Sequence, residues 1–188
     1  MTALEPEKQE TVSLEKAKEQ VAKACRRIAM LHIAYARTLV EELGPEEGKR
    51  LAMRAIKTYG KQVGVSARKR AEAQGLENTP ENYVEDLPEF GLYEELEKLE
   101  TEEGLIRRLK GCEMGKLWRE LGEEELGRIY CYIDPAKSMA FNPDWVLVHK
   151  TCMPDGDPHC DLCYRRTTEE EKSDFLKDDT DFENLDKP

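Results

Sequence analysis

The chain has 188 residues, a length that fits one domain with tails. Its 29 basic and 40 acidic residues give a net charge of −11, which argues against nucleic acid and anionic membranes as partners. No apolar run approaches the roughly 20 residues of a membrane span. The first twenty residues also lack the basic-then-apolar pattern of a secretory signal. We therefore expect a cytoplasmic protein.

The acidic residues are concentrated at one end of the chain. Residues 169–188 contain nine acidic and three basic residues, a net charge of −6. This segment is poor in apolar residues and is predicted to be a solvated acidic C-terminal tail. We expect a flexible N-terminus over residues 1–12 and a single α+β domain over residues 13–168.

Two long helices are predicted in the N-terminal half. Thr11 or Ser13 can cap a helix that runs to about Leu43, and Gly44-Pro45 ends it and begins the next. One face of the first helix recurs at three- and four-residue steps, at Val21, Ala24, Ile28, Leu31, Tyr35 and Thr38. The second helix should reach Gly75, with a bend or break near Gly60 and Gly64. The short connection predicts antiparallel packing, and these helices could also form a homodimer face.

The C-terminal half is predicted to mix short helices with hairpins. Residues 93–112 could be helical, but Glu103-Gly104 favours a hairpin turn. Short helices are expected over 113–121 and from Glu123 to about Pro135, followed by strands over 145–152 and 159–165. The order predicts an α+β fold, in which two long N-terminal helices and shorter helices pack on an antiparallel sheet of about four strands that ends in a β-hairpin.

Five of the six cysteines lie between residues 112 and 163. Disulfides are rare in the cytoplasm, so packing, metal binding or catalysis are the alternatives. Cys152, His159, Cys160 and Cys163 are weak metal candidates, because residues 160 and 163 of a strand point to opposite faces. A divalent metal therefore stays an open possibility, and no cofactor is assigned.

Several side chains in the same region could carry chemistry. Cys112 precedes a helix, and a helix N-terminus lowers a thiol pKa, so Cys112 is a candidate nucleophile. Cys131 and Asp134 are three residues apart and could share one side of a helix. His149 could act as a base if a partner lies within hydrogen-bond reach. For each of these residues, ordinary packing or capping is the alternative.

The block from 126 to 165 resembles the L-2-amino-thiazoline-4-carboxylic acid hydrolase family, and the likeness extends over about residues 22–166. The residues that carry the resemblance are Cys112, Leu126-Gly127, Cys131, Asp134, Asn142-Pro143, Thr151, Gly156-Asp157 and Cys160. The order of elements is also similar to 4-vinyl-reductase-type ligand-binding domains, at the level of the fold only. Cys152 and Cys163 need not belong to the family pattern, and the acidic tail lies outside it.

The resemblance implies hydrolysis of a cyclic amidine or thiazoline ring to an N-carbamoyl-cysteine-like product. We expect catalytic roles for Cys112, Asp134, His149 and Cys160. We expect the substrate to contact Cys131, Asn142, Thr151, Gly156 and Asp157. Arg107, Arg108 or Lys150 could bind the substrate carboxylate. The alternative function is a non-catalytic sensor or accessory module that binds a small ligand or a metal.

Overall fold

The computed structural model describes residues 11–83, 87–102 and 104–188. Most of the predicted flexible N-terminus and the residue before Gly104 in the predicted turn lie outside the described residues. The helices are α1 (Leu14–Leu43), α2 (Pro45–Ala73), α3 (Glu113–Leu121), α4 (Glu124–Cys131), α5 (Ile133–Phe141), α6 (Glu169–Leu176) and α7 (Phe182–Leu185). The strands are β1 (Glu95–Thr101), β2 (Gly104–Lys110), β3 (Trp145–Thr151) and β4 (Cys160–Arg166). Single 3-10 turns occupy Pro80–Asn82 and Met153–Asp155.

The predicted α+β fold is confirmed. The four strands form one antiparallel sheet in the order β1-β2-β4-β3, so both predicted hairpins are present. The chain ends in helical segments that follow the second hairpin. No described helix combines the length and the apolar character that crossing a bilayer requires.

The first helix begins where Ser13 accepts a hydrogen bond from the amide of Lys16, and it buries a different face from the predicted one. The core contains Cys25, Ala29, Ile33 and Ala36, whereas Ile28, Leu31 and Tyr35 of the predicted stripe are exposed. Small residues are buried because α1 packs closely on its neighbours. Periodicity therefore identified the helix, but it chose the wrong face.

The predicted bend at Gly60 and Gly64 is not present, since α2 continues through both residues. Both glycines are buried against α5. A Cβ atom at Gly60 would lie 2.6 Å from Cβ of Ala136, and one at Gly64 would overlap the carbonyl oxygen of Lys137. The glycines thus permit a close approach of two helices, which holds α5 in place beside β3.

The helix that was expected to end near Pro135 ends at Cys131 instead, and α5 begins at Ile133. Pro135 lies in the first turn of α5, where its missing N–H leaves no hydrogen bond unmade. Ser138 of α5 accepts a hydrogen bond from the amide of Leu147, 2.8 Å away, on the open edge of β3. The additional helix therefore covers a sheet edge that would otherwise be exposed.

The segment after Thr168, which was predicted to be solvated, packs on the body of the protein. Thr168 and Glu171 form a reciprocal capping box that begins α6. Phe175, Phe182 and Leu185 are 6%, 2% and 4% exposed and belong to the main core. Burial of these three apolar side chains favours docking of the segment. Its negative charge does not prevent docking, because arginines of the body pair with its carboxylates.

Candidate functional site

The break between α4 and α5 lies beside the end of β3 and the beginning of β4. Cys131 is the last residue of α4, and Asp134 lies in the first turn of α5. His149 belongs to β3, Cys152 follows that strand, and Cys160 begins β4. Four elements thus bring five residues singled out from the sequence into one buried region.

His149 is the centre of this region and has a carboxylate on each side. Its Nδ1 atom lies 3.0 and 3.2 Å from the two carboxylate oxygens of Asp186, and its Nε2 atom lies 3.4 Å from Oδ2 of Asp134. Burial disfavours the imidazolium, but the hydrogen bonds to Asp134 and Asp186 outweigh it and raise the pKa of His149 to about 9. The metal-free protein therefore holds a buried, positively charged histidine at neutral pH.

Asp134 is half-buried and Asp186 is buried, yet both carboxyls are ionised. Burial opposes the charge of Asp134, but Lys137, at 2.6 Å, and His149 lower the pKa of this carboxyl well below its usual range. Burial also opposes the charge of Asp186, and there His149 and Arg128 lower the pKa. The amide of His149 donates to Oδ1 of Asp186 at 2.9 Å. Asp186 therefore fixes both the backbone and the ring of His149.

Arg128 connects this charged group to the thiols. Its Nη2 atom donates to Oδ2 of Asp186 at 2.6 Å, and its Nε atom donates to Oδ2 of Asp155 at 2.9 Å. The guanidinium also stacks over Tyr132 at 4.6 Å. Within the part of the chain that the structure describes, Nη1 of Arg128 is buried and has no hydrogen-bond partner. A buried donor of this kind is suited to an acceptor on a ligand.

Three thiols form a chain beside Arg128 and His149. Cys152 and Cys160 pack in one cluster with Cys131 against it, and the amide of Met153 donates to Sγ of Cys160 at 3.3 Å. The contact with Cys131 raises the pKa of the Cys152 thiol, and the contact with Cys152 raises that of Cys160. These thiols are therefore protonated in the metal-free protein at neutral pH.

Cys112 contacts the same thiol cluster from the N-cap position of α3. The sequence predicted a lowered thiol pKa at this helix start. Desolvation instead raises the pKa of the half-buried Cys112 thiol to about 11, and it outweighs the opposing effect of the nearby amides of Gly115 and Met114. The expected direction of the pKa was wrong, because desolvation of this half-buried thiol outweighs the effect of the helix terminus, and a thiolate nucleophile at Cys112 is not favoured.

The predicted glycine and aspartate of the loop position the cysteines. Gly156 has a φ of 99°, and Asp157 accepts a hydrogen bond from the amide of Cys152 at 2.8 Å. Thr151 lies at an irregularity of the β3–β4 pairing, where its hydroxyl donates to the carbonyl of His159 and accepts from the amide of Asp161, both at 3.0 Å. These residues make the loop rigid around Cys152.

The other predicted residues lie away from this cluster. Asn142 donates to the carbonyl of Asn78 at 2.6 Å and caps a turn at Asp144. Cys163 packs on the main core opposite Val148, and His159 lies 3.5 Å from Asp161. The four weak metal candidates do not converge, because Cys152 groups with Cys131 and His149 instead.

The basic residues proposed for the substrate carboxylate are also directed elsewhere. Arg108 forms two hydrogen bonds of 2.8 Å with Asp161, and Arg107 stacks over Tyr164 at 5.9 Å. Lys150 has interactions of its own. Arg128 and Lys137 are the cations that contact the cluster in their place, through Asp186 and Asp134 respectively.

Sequence reasoning missed Arg128, Lys137 and Asp186. Arg128 precedes Cys131 by three residues, and Lys137 follows Asp134 by three, so helical spacing carried a signal for both. For Asp186 the signal was weaker, since only the spacing of Phe182 and Leu185 indicated a folded segment. The aspartate lies 37 residues from His149, and no local pattern connects the two.

The assembled groups can bind three kinds of ligand. Arg128 can bind an anion, and Asp134 can bind a cation or accept a hydrogen bond. The ligand atoms of Cys131, His149 and Cys152 all lie within 4.8 Å of one another, so they could hold a metal ion. The buried charges favour a polar ligand over an apolar one.

Comparison with known proteins gives one match. The family model described as L-2-amino-thiazoline-4-carboxylic acid hydrolase matches residues 13–164, which include the α4–α5 junction, β3 and most of β4. No curated protein matches the chain. No solved structure matches it either.

Proposed function

Because this chain belongs to the L-2-amino-thiazoline-4-carboxylic acid hydrolase family, we propose that it hydrolyses a small cyclic amidine that carries a carboxylate. The family assignment concerns the general activity, and the substrate and the roles of residues are our inference. The observation that supports them is that Asp186 and His149 link a half-buried guanidinium, which has one buried donor without a partner among the described residues, to the half-buried carboxylate of Asp134.

The reaction adds water to the ring carbon that lies between sulfur and nitrogen. The carbon–sulfur bond breaks, and the oxygen of water becomes the carbonyl oxygen of the product. One hydrogen of the water ends on the sulfur and the other on the former ring nitrogen. The product is an N-carbamoyl cysteine, and no oxidant or reductant is needed.

Arg128 and Asp134 match the two charged ends of such a substrate. The Nη1 group of Arg128 would donate to the substrate carboxylate, since a guanidinium binds a carboxylate in a fixed geometry. Asp134 would accept hydrogen bonds from the protonated amidine. The side chains of Asp134 and Arg128 are 17% and 14% exposed, so part of each lies at the surface. Nη1 of Arg128 is itself buried, and substrate binding would require a local movement that opens a path to it.

His149 and Asp186 would position the groups that contact the substrate and would not contact it themselves. Asp186 holds the imidazole ring, and the ring holds Asp134 in place. The alternative, a non-catalytic sensor or accessory module that binds a small ligand or a metal, predicts binding at this cluster without turnover. Substrate turnover distinguishes the two functions.

The test is an assay of the purified protein with L-2-amino-thiazoline-4-carboxylate, followed by free-thiol release and by the mass of the product. We expect turnover by the wild type. Asp134→Asn and Arg128→Lys should each lower kcat/KM by about 10- to 100-fold, the effect of losing one charge-assisted hydrogen bond. Arg128→Lys should act mainly on KM, because it weakens substrate binding.

Arg108→Lys is the matched control, since Arg108 pairs with Asp161 away from the cluster and should leave kcat/KM unchanged. No turnover by the folded wild type, with and without added Zn²⁺, would refute the substrate. Full activity in both Asp134→Asn and Arg128→Lys would refute the site.

A further inference from the structure

Two thiols and one imidazole of the cluster are arranged as metal ligands. The ligand atoms of Cys131, His149 and Cys152 lie within 4.8 Å of one another, close enough for a small inward movement of the side chains to place them around one ion. Sulfur and imidazole nitrogen together are ligands that Zn²⁺ prefers, whereas Mg²⁺ and Ca²⁺ prefer oxygen.

The three ligands come from elements that are held rigidly. Cys131 ends α4, and His149 lies in β3, whose amide at that residue is bound by Asp186. Cys152 is fixed through its own amide, which donates to Asp157 at 2.8 Å. The structure therefore brings the ligands together before an ion binds, and little conformational entropy would be lost on binding.

The surroundings of His149 fit a ligand histidine. Its Nδ1 atom faces Asp186 at 3.0 Å, and its Nε2 atom faces Asp134 at the longer distance of 3.4 Å. Nε2 is therefore the nitrogen that an ion would take, and the ion would replace the contact with Asp134. Histidines that bind metals usually donate their second N–H to a carboxylate or a carbonyl, which fixes the tautomer. Asp186 is itself held by Arg128 at 2.6 Å, so this outer contact is also supported.

Cys160 is close to the three ligands but lies outside their group. Its sulfur accepts a hydrogen bond from the amide of Met153 at 3.3 Å and contacts the thiol of Cys152. Three protein ligands with an open fourth position are typical of catalytic zinc sites, whereas structural sites have four. The position of Cys160 therefore favours an open site.

We propose that Cys131, Cys152 and Nε2 of His149 bind one Zn²⁺ ion, with a fourth position open to water or substrate. Binding releases the two thiol protons and the proton on Nε2 to solvent. Two thiolates balance the charge of the ion. Only the catalytic use of the ion, which is to lower the pKa of a bound water, rests on the proposed function.

The first experiment measures binding directly. Metal-free wild-type protein, kept reduced, is titrated with Zn²⁺ against a chromophoric chelator and, separately, with Co²⁺. We expect one ion per chain and an intense thiolate-to-cobalt absorption band. Cys131→Ser and Cys152→Ser should each abolish that stoichiometric binding, and Asp186→Asn should weaken it by about 10- to 100-fold. Cys163→Ser, which removes a thiol that packs on the core, is the matched control and should bind normally.

A second measurement requires no variant. X-ray absorption of the Zn²⁺-loaded wild type should show two sulfur neighbours at about 2.3 Å and a nitrogen neighbour at about 2.0 Å. A shell without sulfur, a shell of four sulfurs, or no stoichiometric binding by the folded wild type would overturn the proposal. Zn²⁺ binding without turnover of the thiazoline would refute the proposed substrate and leave the zinc site standing. Turnover by protein that binds no Zn²⁺ would refute the zinc site and leave the proposed substrate standing.

Discussion

The two hairpins of the sheet have strands of equal length and the same antiparallel pairing, yet their surroundings differ. Every described residue of the β1–β2 hairpin is exposed or half-buried, whereas Val146, Leu147, Val148 and His149 of β3 are buried. Both hairpins carry ion pairs. We call β1–β2 the outer hairpin, because both its strands are partly open to water, and β3–β4 the inner hairpin, because helices cover it. The side chains of Lys110 and Glu97 in the outer hairpin are 39% and 32% exposed. His149 of the inner hairpin and Asp186 of the C-terminal segment that covers it are 4% and 0% exposed.

This difference shows why the inner hairpin can carry chemistry. Water screens the outer charges, so their pairing contributes little to stability and orients nothing. The inner charges are removed from water by α5 and by the segment after Thr168, and each needs its partners. Because the edge of β3 is covered, His149 and its carboxylate partners are held in fixed positions and interact strongly in the absence of water.

The largest effect on stability is expected at Phe182, whose ring stacks on Tyr132 at 5.4 Å and which holds the C-terminal cover on the core. Phe182→Ala should lower the free energy of unfolding by about 3–5 kcal/mol, because it leaves a cavity. Denaturant unfolding measures the loss. Leu176→Ala, at a residue that is 80% exposed, is the control and should change stability by less than about 0.5 kcal/mol. Equal losses in the two variants would contradict the packing of this segment.

A smaller effect is expected at the inner ion pair. Asp186→Asn keeps the shape of the side chain but leaves His149 and Arg128 without their shared negative charge. We expect a loss of about 1.5–3 kcal/mol in the free energy of unfolding, the usual contribution of hydrogen bonds to charged groups. The measurement is denaturant unfolding of metal-free protein at neutral pH. A variant as stable as the wild type would show that this carboxylate is not buried and paired.

The smallest effect is expected at the outer hairpin. Glu97→Gln removes one carboxylate that contacts Lys110 at 2.7 Å, and Lys110 keeps its contact with Glu95 at 3.1 Å. The free energy of unfolding should change by less than about 1 kcal/mol, and the change should shrink further at high salt. A loss as large as that of Asp186→Asn would remove the distinction between the two hairpins.

The candidate site was predictable in part. Cys131, Asp134, His149 and Cys160 were named from the sequence, and the structure brings them together with Cys152. Cys112 was also named, but burial reversed the expected direction of its pKa. Arg128 and Asp186 were missed, since the first was hidden among ordinary helix residues and the second in a segment taken for solvated tail. Acidic composition alone did not show that three apolar side chains would fold that segment onto the core.

The sequence by itself determined the two long N-terminal helices, the strands of both hairpins and the family, because turn residues, caps and apolar spacing act over a few neighbouring positions. The tertiary structure alone decided which face of α1 is buried, why Gly60 and Gly64 are needed, and which carboxylates surround His149. These features depend on contacts between residues far apart in the chain. Such contacts form only when whole elements pack, and local spacing carries no record of them.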